Sequence, residues 1–232
     1  HYVPDNAVLV VAGGVKAAEV MPLVEKWFGS IPTGNRPTRN LPVEPQQTEA
    51  RHLTVNANVP VNVLYKAYHM GSRKSDQYYI ADTMSDVLAS GESSRLYQRL
   101  VKKEQLFSEI DAYVLGSIDN GLFIFEGRLN EGTTMEQAEA AVQAQIDDIC
   151  GNLTSQEELQ KVKNMNESHW VFSQTNVMNR AYFLAFHELL GDANEINTEI
   201  EKYLAVDSAQ IRDCANELFR PENCSTMYYL AK

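Results

Sequence analysis

Several patterns that commonly announce a function are missing from this 232-residue chain. Cysteine is scarce: Cys150, Cys214 and Cys224 are odd in number and contain no C-x-x-C pair. That argues against both a disulfide framework and a cysteine-built zinc site. No apolar run approaches the ~20 residues that a membrane-spanning helix needs. Neither G-x-x-x-x-G-K-[ST] nor G-x-G-x-x-G occurs, so the backbone cradles used for nucleotide phosphates are not provided. The serine-nucleophile elbow G-x-S-x-G is absent too, and Gly91-Glu92-Ser93-Ser94 lacks its last glycine. Basic charge is in short supply, with 20 Lys and Arg against 31 Asp and Glu and a net charge of −11. Such a surface disfavours nucleic acid or anionic lipid as a general partner.

Histidine spacing is equally restrictive. A helical zinc-peptidase site needs two histidines four residues apart with a glutamate between them, because both imidazoles must reach one ion. None of His1, His52, His69, His169 and His187 forms such a pair. His187-Glu188-Leu189-Leu190-Gly191 begins like H-E-x-x-H and ends in glycine, which reads as a histidine on a partly buried helix. No catalytic, metal or cofactor residue is therefore assigned. An irregular site built from His52, His69, His169 or His187 with acidic neighbours would require stoichiometric zinc in this chain.

What is present is ordinary globular composition, 44% hydrophobic and 22% charged, enough for a sizeable core. Ala7–Ala12 is a continuous apolar run closed by Gly13-Gly14, the pattern of a buried strand. Val20, Leu23, Val24, Trp27 and Phe28 then follow helical spacing, with Gly29 at the end. Residues 32–48 hold Pro32, Pro37, Pro42 and Pro45 and read as an extended connector. Alternation over 51–57 and 61–67, around Asn58–Pro60, suggests two strands paired as a hairpin. A helix capped by Ser75 follows, Gly91 breaks it, and another starts near Ser93 or Ser94. Phe107–Leu115 and Leu122–Leu129 suit a second hairpin. Capping boxes at Thr134/Gln137, Ser155/Glu158 and Asp207/Gln210 open later helices, with a break expected near Ser173–Asn176. Thr226–Leu230 is a last strand. The mixed order indicates an α+β fold, with one largely antiparallel sheet carrying helices on one face, and is read as a single domain over 1–232.

Two features invite a contact role. Arg95, Arg99, Lys102 and Lys103 recur at i, i+4, i+7 and i+8, a basic stripe that could receive a carboxylate or an acidic partner, or simply face solvent. The Gly91-Glu92-Ser93-Ser94 loop could touch substrate, or be a plain helix break with a serine cap. The candidate contact set is therefore Gly91, Glu92, Ser93, Ser94, Arg95 and Arg99.

Tyr2-Val3-Pro4-Asp5-Asn6-Ala7, Leu9–Gly14, Val24–Pro32, Asp86–Val101 with its Ser93-Ser94-Arg95-Leu96, Gly121-Leu122-Phe123, Leu159–Asn164 and Tyr182–Gly191 follow one another in an order and spacing that is itself a pattern. In these segments the chain resembles the second, non-zinc domain of pitrilysin/insulinase-type peptidases. The resemblance runs essentially end to end and extends to mitochondrial processing peptidases. It implies two similar α+β domains facing each other. The first would carry H-x-x-E-H and a later glutamate for zinc, and the second would help close a chamber around a peptide. Zinc is thus expected in a half missing from this chain, with that half a partner in cis and a peptide as substrate. Some relatives of this fold are scaffold subunits with no proteolytic role, which is the alternative. The arginine and following tyrosine that some members use to orient substrate are not recognisable here: after Arg128 the next tyrosine is Tyr182. The chain opens at His1-Tyr2-Val3-Pro4 without a signal peptide and is read as part of a longer polypeptide, so its compartment is not legible. A homodimer through the face that would meet the missing half is a further expectation.

Overall fold

The computed structural model describes residues 2–36, 38 and 40–232. His1, Pro37 and Arg39 lie outside them, and with them one proline of the connector and one of the five histidines. The chain divides into two compact units, residues 1–43 with 166–201 and residues 44–165 with 202–232.

The second unit is built on a five-stranded sheet in the order β1-β5-β2-β4-β3. The strands are β1 (Arg51–Ala57), β2 (Val63–Ser72), β3 (Phe107–Leu115), β4 (Asn120–Leu129) and β5 (Cys224–Ala231). Three of the four strand pairings are antiparallel, and β1 runs parallel to β5. The β3–β4 hairpin forms as expected. The expected β1–β2 hairpin does not, because β5 inserts between its two strands. Leu64 of β2 faces Tyr228 of β5, while Leu53 of β1 faces Met227. The insertion is closed at one end by Ala231 N donating to Asn62 Oδ1 at 2.9 Å and by Lys232 N donating to Ala57 O at 3.1 Å. An apolar C-terminal strand is better used at the centre of a sheet, where both its edges are hydrogen-bonded.

One face of the sheet is covered by α2 (Asp76–Ala89), α3 (Met135–Gly151) and α7 (Ser208–Leu218), so the fold is α+β with helices on one side. Period two places Leu64, Tyr68, Phe123 and Phe125 on that face. There Tyr68, Phe123 and Phe125 surround Phe219, with ring centroids 4.9–5.5 Å apart. Gly127 makes room for Phe107: a Cβ there would stand 2.5 Å from the Phe107 ring. Leu159 and Val162, from the first turns of α4 (Gln156–Ser173), complete the same core. The capping boxes of α3 and α7 form as read, and Ser155 and Glu158 exchange the same pair of bonds at the start of α4. Ser75 departs from expectation. It occupies the N-cap position of α2, yet its hydroxyl donates backwards to Ser72 O at 2.7 Å. The end of the connector is anchored by buried Gln47, which donates to Cys224 O at 2.8 Å and accepts from Ser225 Oγ. Among its described residues, 32–48 holds no helix or strand.

The first unit contains α1 (Ala17–Phe28), α5 (Val177–Leu190), and parts of α4 and of α6 (Glu199–Ala205). The α4–α5 break falls where expected, with Asn176 Oδ1 accepting from Met178 N and Asn179 N to cap α5. The strand expected over Ala7–Ala12 is not formed. The segment carries no strand pairing and is largely exposed. An apolar run becomes a strand only when a neighbouring edge takes up its amides, and none of the described residues supplies one.

Candidate functional site

The predicted contact set lies after α2. Gly91 takes φ +76°, the left-handed region that glycine enters without a Cβ penalty, and so turns the chain sharply. Ser94 N donates to Gly91 O at 3.1 Å, Gln98 Nε2 to Glu92 O at 2.6 Å and Gln98 N to Ser94 O at 3.0 Å. Gly91, Glu92 and Ser93 are exposed, and Ser94 is buried. The Ser93 hydroxyl accepts from Lys161 Nζ at 3.0 Å. The turn is therefore fastened to α4 while its outer side chains face solvent.

Arg95 points inward and closes a fork-to-fork pair with Glu158, Nε to Oε1 at 2.8 Å and Nη2 to Oε2 at 3.0 Å. Its Nη1 adds Asp148 at 3.1 Å. The guanidinium holds Glu158 down at about 2, helped by Ser155, against the upward pull of burial. The four-residue basic stripe does not form. Tyr97–Lys103 winds as a π-helix, with Glu104 N bonded to Arg99 O. This wider winding breaks helical spacing. Arg99 pairs with Glu104, whereas Lys102 and Lys103 are exposed.

The face of the sheet opposite α2, α3 and α7 carries a second constellation. Tyr65 and Tyr113 donate to the two oxygens of Glu126, each at 3.2 Å, from opposite neighbouring strands. Arg128 pairs with Glu109, and these side chains with Asp111 line a depression of about 110 Å³. Partial burial, opposed by a bond from Ala112 N, leaves the Asp111 carboxyl above its ordinary value, with Glu109 and Glu126 adding repulsion. Strand alternation sets Glu126, Arg128 and Tyr113 on outward faces, but it groups Tyr65 with Val61, Val63 and Ala67 as one apolar face. In the structure β2 instead turns Leu64, Lys66 and Tyr68 towards the helices, because the Lys66 ammonium finds acceptors there, and this puts Tyr65 on the opposite face. Only the register shows that they meet.

Under the sheet, Lys66 is buried. Its ammonium donates to Gln143 Oε1 at 2.9 Å and Glu139 Oε1 at 3.3 Å, and Tyr228 OH donates to Glu139 Oε2 at 2.6 Å. Burial raises the Glu139 pKa, but these two partners outweigh it and the net shift is downward. The Lys66 charge is thus paired beneath the sheet, with Glu139 itself only partly buried.

The histidines are dispersed. His52 is on β1, His69 on β2, His169 on α4 and His187 on α5. Buried His187 has Nδ1 2.8 Å from Phe183 O and Nε2 3.3 Å from Glu199 Oε2. Among the described residues, no three His, Cys, Asp or Glu side chains are grouped to share a metal ion, so the residues present do not fit a zinc site. The thiols are poorly placed for chemistry as well, since burial pushes Cys150 up and Cys214 to about 12. Within the first unit two depressions of about 420 and 230 Å³ share Trp170, Gln174 and Ile196.

The profile of the peptidase M16 inactive domain matches residues 1–166, well over half of the chain. The chain belongs to that family. The zinc protease PqqE of Helicobacter pylori is 23% identical over 231 residues, 98% of this chain and 52% of that protein. The crystal structure of a protease from H. pylori superimposes with a TM-score of 0.87 at 23% identity, covering 94% of this chain and 54% of that one. A peptidase M16 inactive domain from Pseudomonas fluorescens gives 0.76 at 15% identity, over 95% and 52%. The chain thus spans about half the length of these relatives, and their fold is the α+β fold described above. Among the described residues, no helix is long and apolar enough to cross a membrane.

Proposed function

We propose that this M16 inactive domain is the non-catalytic half of a zinc metallopeptidase, closing a substrate chamber opposite a zinc-bearing H-x-x-E-H half. One observation carries the reading: the family match falls on the inactive domain, in a chain whose histidines never reach zinc spacing. In the complete protein, zinc would activate water and a glutamate of the other half would act as general base. This chain would supply wall and contacts. Gly91, Glu92, Ser93, Ser94, Arg95 and Arg99 stand as its candidate contacts to substrate or partner. Glu92 and Ser93 would reach outward, while Arg95 would hold the turn in place through Glu158. Approach and separation of the two halves would gate access.

The test is zinc content and peptide cleavage, measured on this chain alone and on a protein that includes the region encoded directly upstream. Cleavage and one zinc in the longer protein, with neither in this chain, support the reading. A longer protein lacking an H-x-x-E-H helix turns it towards a scaffold or binding role. Stoichiometric zinc in this chain alone overturns it.

A further inference from the structure

The larger depression of the first unit, about 420 Å³, is walled by the end of α4, by α5 and by the 3-10 turn Ala193–Asn197. That size suits a small organic molecule rather than a lone ion. Val171, Leu184 and Ile196 form an apolar wall with the indole of Trp170. Gln174, Arg180 and Asn197 form a polar one. Among the described residues that line it, Arg180 alone is charged. Its guanidinium and the side-chain amides of Gln174 and Asn197 have no hydrogen-bond or ion-pair partner among the described residues. Trp170 Nε1 is buried and also lacks an acceptor among them. A buried donor without an acceptor is costly and rare, so it calls for an explanation. The depression of about 230 Å³ next to it shares Trp170 and adds Glu199, but that carboxylate already lies 3.3 Å from His187 Nε2. The larger depression is therefore rich in donors and short of an acceptor.

We propose that this depression binds a small carboxylate with an apolar body. That chemistry is shared by the free C-terminal end of an apolar peptide and by a fatty acid. Arg180 receives the carboxylate, because its planar fork of donors matches the two oxygens. The amides of Gln174 and Asn197 add donors beside it. The apolar body lies against Val171, Leu184, Ile196 and the Trp170 ring. Charge decides the class of ligand. An amine or guanidinium would meet Arg180 with no lining carboxylate to offset it. A neutral apolar molecule would cover the donors and leave them unanswered. On a chain of net charge −11, a cationic corner without a counter-charge is a local exception that favours an anion. The site uses no zinc and stands whether the complete protein cleaves peptides or serves as a scaffold.

Isothermal titration calorimetry tests this with N-acetyl-leucyl-leucine and with octanoate, each compared with its uncharged amide. The expected result is saturable binding of at least one carboxylate to the 232-residue chain, with its amide at least ~10-fold weaker. Whichever carboxylate binds more tightly names the source, peptide end or fatty acid. Arg180→Gln should weaken binding at least ~10-fold and leave thermal unfolding unchanged, because Arg180 is exposed. Val171→Asp, at a position 51% exposed, should abolish binding by setting a negative charge in the wall. Trp27→Phe leaves Trp170 as the sole tryptophan, and its emission should shift as ligand is added. No saturable binding of either carboxylate overturns the site, as does equal binding of acid and amide. Binding that survives Arg180→Gln undiminished overturns it as well. Heat of binding without a change in Trp170 emission places the ligand elsewhere and has the same consequence. So does binding that disappears in the longer protein with the upstream region, since the depression would then be covered in the complete molecule.

Discussion

The two units treat the same kind of side chain in opposite ways. Every member of the continuous buried core lies in residues 44–165 and 202–232. In residues 1–43 and 166–201 the described side chains that become buried are His187 and Ile196. Yet that unit holds eighteen of the twenty-three exposed large hydrophobics, Trp27, Phe172 and Met178 among them. Hydrophobic composition therefore does not decide burial. A sheet gives the second unit a broad surface on which helices can pack, while the described residues of the first unit form helices and an extended arm and no sheet.

That contrast can be broken by mutation. The largest effect is expected at Phe125, in the aromatic cluster with Tyr68 and Phe219: Phe125→Ala should cost about 3–5 kcal/mol in denaturant unfolding. A similar loss, about 3–5 kcal/mol, is expected for Glu139→Leu, which leaves the Lys66 ammonium buried without its counter-charge. Lys66→Met combined with Glu139→Leu should recover much of it, and a double mutant as unstable as Glu139→Leu alone would show that packing, not charge, is lost. Arg95→Met should follow at about 1–3 kcal/mol, from loss of charged hydrogen bonds to Glu158 and Asp148. At the small end, Trp27→Ala should change the stability of this chain by no more than about 0.5 kcal/mol, as for a surface position. A cost above about 2 kcal/mol would show that α1 is packed in this chain after all.

Two probes sharpen the same comparison. Both tryptophans, Trp27 and Trp170, lie in the first unit, so tryptophan fluorescence, excited at the red edge where tyrosine does not absorb, reports on it alone. Its urea transition should precede the loss of far-ultraviolet circular dichroism, and coincident curves would mean that the chain unfolds as one. For pH, Glu158 titrates near 4.5 unfolded and at about 2 folded. The unfolded chain binds the extra proton between those values, so this contribution to stability is complete above about 4.5 and fades as pH falls towards 2. Glu158→Gln should flatten that part of the acid-unfolding profile, and an unchanged slope would place the acid sensitivity elsewhere.

Much of the second unit was legible locally. The three capping boxes, the β3–β4 hairpin and the break before Asn176 follow from side chains within a few residues of one another. The β1–β2 pairing was misread because the competitor for β2 is β5, more than 150 residues later in the chain, and local alternation cannot rank a distant strand against a near one. The candidate turn was legible at Gly91 and the serines. The inward turn of Arg95 was not, since Asp148 and Glu158 are brought to it by α3 and α4.

By itself, then, the sequence determined the α+β class, the helix starts and the lack of any histidine pair at zinc spacing, because caps, periodicity and motif spacing are short-range properties. Only the tertiary structure decided which apolar segments became core. It gathered Tyr65, Tyr113, Glu126 and Arg128 on one sheet face, turned Arg95 from a surface cation into an internal tie, and left Ala7–Ile31 uncovered. Burial and ion pairing depend on which distant partner arrives, and that is a property of packing.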